Sequence, residues 1–242
     1  LDLGEYLRAL ITADCELVPD DRWGYREALG DAFRMRRIYP PTVHSLSEDS
    51  LRWTSAQLSI ESIVKLNFAN LQFEGDPASP ASAEELHKQA AAFGEVLGCP
   101  HNLTQFGFAR DGDPALDGDT VELPRVQSIR SSRRIGPDGQ IIFDLVAEVT
   151  QRRVVGDPRG KFHFFGGATV IIGPKGEVRY VIAKNVLNRN RLEQQRRFIH
   201  DGGQRYWEKS EDKDLFQPVR NAFKLVHELP VGHQGPASGA VS

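Results

Sequence analysis

Two places in this sequence set histidine beside a second reactive group. His227-Glu228-Leu229-Pro230-Val231-Gly232-His233 comes nearest to His-Glu-x-x-His, in which two imidazoles on one helical face bind zinc and the glutamate acts as base. Here the second histidine falls two positions late, and Pro230 and Gly232 break the helix that would hold it. Cys99-Pro100-His101 puts a thiol next to an imidazole. A Cys/His dyad is a nucleophile pattern, but adjacent positions rarely aim both side chains at one point, and no orienting acid is evident. His44, His87, His163 and His200 lie neither three nor four residues from another histidine. No Gly-x-Ser-x-Gly elbow and no phosphate-cradling glycine loop occurs. Gly166-Gly167 sits inside a strand run, where it marks a bulge or a close backbone approach. Asp144 and Glu148 share one strand face and are expected to pair with nearby arginines. The sequence thus predicts no complete catalytic site and no metal site.

The remaining candidate is a cationic face. Arg130, Arg133, Arg134, Arg152, Arg153, Arg189, Arg191, Arg196 and Arg197 could gather on a sheet and helix and receive an anionic partner. Phe162, Phe164 and Phe165 could add stacking. Between Val121 and Arg205 stand sixteen basic and eight acidic side chains, a net of +8, which leaves −11 for the rest of a chain with formal charge −3. With a pI near 6.2, an acidic protein surface, including the N-terminal part of this chain, is a better expected partner than nucleic acid.

Composition sets the frame for these groups. A chain of 242 residues, 40% hydrophobic and 26% charged, can bury a core. No run approaches the ~18 to 20 apolar residues of a membrane helix, so no membrane partner is expected. Cys15 and Cys99 are too few for a disulfide framework, although a single bridge between them stays open. The start on Leu1-Asp2-Leu3, without Met or a signal core, reads as a fragment or processed product.

The elements predicted to position these residues are α+β. Leu3, Tyr6, Leu7, Leu10 and Ile11 form one helical stripe, and Tyr25, Ala28, Leu29, Ala32 and Phe33 form a second. Pro19 parts them, and Asp20 or Asp21 can cap the second helix. The pair is a helical hairpin over residues 1–44, with a greasy side that needs a partner body. An α+β accessory domain is expected over 45–229. Within it the pattern gives a short helix and then a strand near Val64, Leu66 and Phe68. A helix opened by the Ser82-Ala83-Glu84-Glu85 capping box follows, with Leu86, Ala90, Phe93 and Leu97 on one face and Gly98 and Pro100 at its end. Asp111 to Thr120 reads as a linker or long loop. From about Arg125 to Lys184, alternation and the turns at 136–139, 156–160 and 173–176 predict a four-stranded antiparallel meander. Asn188 caps a basic helix to His200, a last helix begins near Pro218, and 230–242 is a disordered tail.

One segment carries a family resemblance. Leu7-x-x-Leu-Ile-x-Ala-Asp-x-x-Leu-Val-Pro-Asp-Asp21, then Tyr25-Arg-x-Ala-Leu-x-x-Ala-Phe33, then Arg36-Arg-Ile-Tyr-Pro40, resembles the end of the helical lobe in gluzincin (thermolysin-like) zinc metallopeptidases, in particular bacterial gluzincin-like proteins that continue into an extra C-terminal region. The resemblance covers under a fifth of the chain and rests on packing residues. It implies that zinc and its ligands belong to a region upstream of Leu1, that a metallopeptidase-like domain of the same parent chain is the partner, and that residues 45–229 are a non-catalytic accessory domain. No catalytic residue carries over. The competing expectation is a binding module that uses the arginine face for an acidic protein or nucleic acid.

Overall fold

The computed structural model describes residues 3–41, 43–53, 62–71, 81–201, 207–210 and 214–218. The chain first builds a helical arm from α1 (Leu3–Leu17), α2 (Tyr25–Met35) and the single turn α3 (Glu48–Leu51). The α2 helix starts because the Asp21 carboxylate accepts the amides of Tyr25 and Arg26 at 2.9 and 2.8 Å, satisfying donors that have no partner in a first turn. Leu7, Ile11, Cys15 and Leu51 form the arm's buried core, with Leu29, Phe33, Val43 and Leu46 packed against it. The broad stripe of α1 therefore divides. Leu7 and Ile11 face inward, while Leu3, Tyr6 and Leu10 lie on an exposed flank. Residues 43–51 close the inner side, so the arm's packing runs past position 44 into the region expected to start the accessory domain.

The strand expected near Val64 is absent. Val64–Leu66 and Phe68–Asn70 are two 3-10 turns instead. A buried Leu66 beside an exposed Val64 produces the same alternation that a strand would. The segment is tied across the sheet end by Ile63 N–H donating to the Gly176 carbonyl at 2.7 Å and Phe68 N–H to the Pro174 carbonyl at 2.9 Å.

Ser82 Oγ accepts the Glu85 amide at 3.2 Å and opens α4 (Ala83–Gly98). Its inward face is rotated from the expected one: Glu85, Gln89, Ala92, Phe93 and Leu97 are buried, and Leu86 and Ala90 are half-buried. Pro100 occupies the first turn of α5 (Pro100–Gln105), where its missing N–H costs nothing. The stretch after Asp111 is a loop, the second of the two expected forms, and it is packed. Its 3-10 turn Pro114–Leu116 buries Leu116, and Asp119 holds a buried arginine.

Among the described residues the sheet has seven strands, three more than expected: β1 (Thr120–Val121), β2 (Arg125–Ile135), β3 (Ile141–Val155), β4 (Lys161–Ile172), β5 (Val178–Lys184), β6 (Trp207–Ser210) and β7 (Leu215–Pro218). Neighbours run antiparallel except β4 and β7, which pair in parallel at Lys161↔Leu215 and Phe162↔Phe216. Odd-numbered β3 residues and even-numbered β4 residues share one face, as in Leu145↔Ile172 and Ala147↔Val170. That face packs on Phe93, Leu97, Leu103 and Phe106 of α4, α5 and the turn after it. Further along, Val155, Phe162 and Phe164 pack on Leu192 and Ile199 of α6 (Arg189–Asp201), whose Arg191 amide is capped by Asn188 Oδ1 at 3.1 Å. Register is unbroken at Gly166 and Gly167. These positions mark close backbone approach, since a Cβ on either would lie 2.6 Å from a carbonyl oxygen, of Lys184 or Val149.

The helix expected from Pro218, the His227 to His233 segment and the tail 230–242 lie outside the described residues, apart from Pro218 itself, which ends β7. Among the described residues no helix is long and apolar enough to cross a membrane.

Candidate functional site

The sheet face opposite α4 and α6 carries even-numbered β3 residues, among them Asp144, which is buried, and Glu148 and Arg152. Strand register places Arg130 opposite Val146 and Phe165 opposite Arg152. The candidate arginines do not form one face. Arg130 pairs with Glu148 at 3.2 Å, and Arg152 with Glu122. Arg134 meets Asp144 at 2.5 Å. Arg153 points to the covered side, buried, and binds Asp119 at 2.7 Å and the carbonyls of Leu116 and Val186 at 2.9 and 3.0 Å. Arg191 lies over the Phe164 ring at 5.0 Å and donates to the Phe165 carbonyl at 3.0 Å. Burial lowers its pKa. Arg196 and Arg197 pair with Glu193 at 3.3 and 3.2 Å, and Arg196 also reaches Asp157 at 3.1 Å. Of the nine, only Arg133 and Arg189 make no such contact among the described residues. Phe162 and Phe164 are core, leaving Phe165 exposed.

The histidines are dispersed as well. His163 is half-buried beside Phe165, and burial together with the charge of Arg152 lowers its pKa, against Glu122, which raises it. His200 Nε2 lies 3.0 Å from Asp157 Oδ1 and its ring meets Phe216 edge-on. Burial works to raise the Asp157 pKa. The Arg159 amide and the close approach and charges of His200 and Arg196 outweigh it, and the carboxyl is held below its ordinary range. Cys15 and Cys99 are both free thiols, one buried and one exposed. Burial and a hydrogen bond to Glu48 push the Cys15 thiol up to about 11, the wrong direction for a nucleophile. No cluster of three or more His, Cys, Asp or Glu able to hold a metal occurs among the described residues. A cleft of about 180 Å³ lies between Lys65, Leu71, Glu85, Gln89 and Ala92. That is below the ~300 Å³ at which small-molecule sites usually begin.

Two features stand out from this arrangement. One is an apolar flank of the arm: Leu3, Tyr6, Leu10 and Leu17 recur at helical spacing on α1 and are all more than a third exposed, with Trp23, Tyr25 and Met35 exposed nearby in the chain. The other is an ionic junction between arm and sheet, centred on Glu16, Arg134, Asp144, Arg179 and Tyr180. Sequence reading missed Glu16, Arg179 and Tyr180. Nothing local marks them, because Glu16 lies 163 residues from Arg179 and 164 from Tyr180.

Comparison with family models, with curated proteins and with solved structures finds no match to this chain.

Proposed function

We propose that this chain is a non-catalytic accessory region of a gluzincin-like zinc metallopeptidase, and that its helical arm docks on the peptidase-like domain of the same parent protein. The observation that carries the reading is the outer flank of α1. Leu3, Tyr6, Leu10 and Leu17 make one line on the helix and face water while Leu7 and Ile11 fill the arm's core. A contiguous apolar stripe of this kind suits a protein partner. The likeness of residues 7–38 to the close of a gluzincin helical lobe names that partner. In this reading α1 and α2 are the lobe's closing hairpin, and β2 to β5 are the meander at the heart of the accessory region. The basic-face alternative draws less support, because most of its arginines are paired within the chain.

The test compares this chain with its parent protein by zinc titration and peptidase assay. Zinc-dependent cleavage is expected from the parent and not from this chain, and Leu10→Asp should weaken the grip of the peptidase-like domain. A parent that takes up no zinc and cleaves nothing would remove the reading.

A further inference from the structure

Arm and sheet share no hydrophobic cluster among the described residues: one buried cluster lies wholly within residues 7–51, and the other two begin at Ile63 and Ala109. Their described junction is ionic. Glu16 Oε1 accepts from Arg179 Nη2 at 2.6 Å and from Tyr180 Oη at 2.5 Å, and Glu16 Oε2 lies 3.9 Å from Arg134 Nη1. Behind them Asp144, its side chain 6% exposed, accepts from Arg134 Nε at 2.5 Å and Arg179 Nη1 at 3.3 Å through a single oxygen. One buried carboxylate on the sheet thus aims two guanidiniums, and a phenol stands beside them. Two charged donors and a neutral one converging on a single carboxylate form a complete recognition set.

We propose that Arg134, Arg179 and Tyr180, braced by Asp144, are a carboxylate-binding site on the sheet that Glu16 fills as a built-in ligand, so that the arm is a displaceable strap. The ligand class is a carboxylate presented by another molecule. Displacement is open to solvent chemistry, because Glu16, Arg134 and Arg179 keep about a fifth of their side-chain surface in water, where salt and competing anions act. The arm has what it needs to stay folded when Glu16 leaves: its own apolar core, and Arg26 bound to Asp14 and Glu48 at 2.8 and 2.7 Å. This inference stands whether or not the partner is peptidase-like.

The test is chemical rescue in the full chain. In Glu16→Ala the site is empty, and sodium acetate should raise the melting temperature above that in equimolar sodium chloride by roughly 2 to 4 °C, the shift that about 1 kcal/mol gives a protein of this size. No acetate advantage is expected in the wild type, whose site is filled, or in Glu16→Ala/Arg179→Ala. Glu16→Ala behaving alike in acetate and chloride overturns the site. Should that variant fail to fold, wild-type hydrogen exchange decides. Amides of β5 should exchange faster in 1 M sodium acetate than in 1 M chloride while α1 stays protected, and equal rates overturn the proposal.

Discussion

Replacing Arg153 by Met separates an interior brace from a surface charge. Its side chain is 4% exposed and forms hydrogen bonds with Asp119 Oδ2 and with two backbone carbonyls, those of Leu116 and Val186. Methionine fills much of the volume but donates nothing. Asp119, 13% exposed, then keeps the Gly156 amide at 2.8 Å on its side chain, the Val186 carbonyl loses the donor it had at 3.0 Å, and the Leu116 carbonyl keeps the Asp119 amide at 3.1 Å. Removing one partner of a buried ion pair costs ~3 to 5 kcal/mol, and the stranded Val186 carbonyl on its own is worth ~1 to 3 kcal/mol. The two figures overlap rather than add, so a loss of ~3 to 5 kcal/mol is expected. For a chain of this length that is roughly 6 to 20 °C in melting temperature. Urea unfolding should show a lower midpoint at unchanged slope. The double variant Arg153→Met/Asp119→Asn removes the stranded charge, and should recover at least ~1 kcal/mol relative to the sum of the singles. A single-variant loss under ~1 kcal/mol, with no coupling to Asp119, would refute the brace and return Arg153 to the solvent face.

Four further outcomes follow from the same geometry. Native protein should expose one thiol to a disulfide reagent at pH 8, Cys99, with Cys15 reacting only in denaturant. Because the folded Cys15 pKa of about 11 lies above its unfolded value, its contribution to stability is present below pH ~8.5 and is lost as pH rises toward 11, which Cys15→Ser should flatten. Gly176 has φ +81°, and a Cβ there would lie 2.4 Å from the Ile63 carbonyl oxygen, so Gly176→Ala should cost more than ~1 kcal/mol by urea melt. Asp157 has a lowered folded pKa, so its contribution is present above its unfolded pKa and is lost as pH falls through the folded one. Acid unfolding of Asp157→Asn should therefore lack that part of the pH slope.

What the sequence reveals here is set by distance along the chain. The caps at Ser82 and Asn188 act within three residues, so they can be read from local pattern. Alternation in 143–149 likewise reports β3, because the odd-numbered face of that strand is buried from Leu145 to Val155. The stretch 62–71 defeats the same logic, since two successive 3-10 turns can also bury every second or third residue. The strands β6 and β7 span four residues each, too short for a period to emerge, and β7 joins the sheet through parallel pairing to a strand more than forty residues earlier. Arginine count misleads for a related reason. Arg134, Arg152 and Arg153 find their carboxylates 10, 30 and 34 residues away, and no spacing rule says which arginines remain for a partner.

The charge division along the chain has its physical meaning in these pairings. The basic half of the sequence is a sheet that draws carboxylates onto itself: Asp144 and Glu148 from its own strands, Asp119 and Glu122 from the segment leading into it, and Glu16 from the arm. The first four lie in segments already fastened by strand pairing or by apolar burial, so their ion pairs stabilise geometry that other forces also fix. Glu16 differs. Among the described residues the apolar contacts of α1 lie within the arm, and strand pairing does not reach it. In the strap proposed above, its ionic contact is one whose loss changes where an element sits rather than how firmly it is held. A weak, solvent-reached interaction, placed where no apolar cluster of the described residues duplicates it, is a point at which this fold would respond to its surroundings.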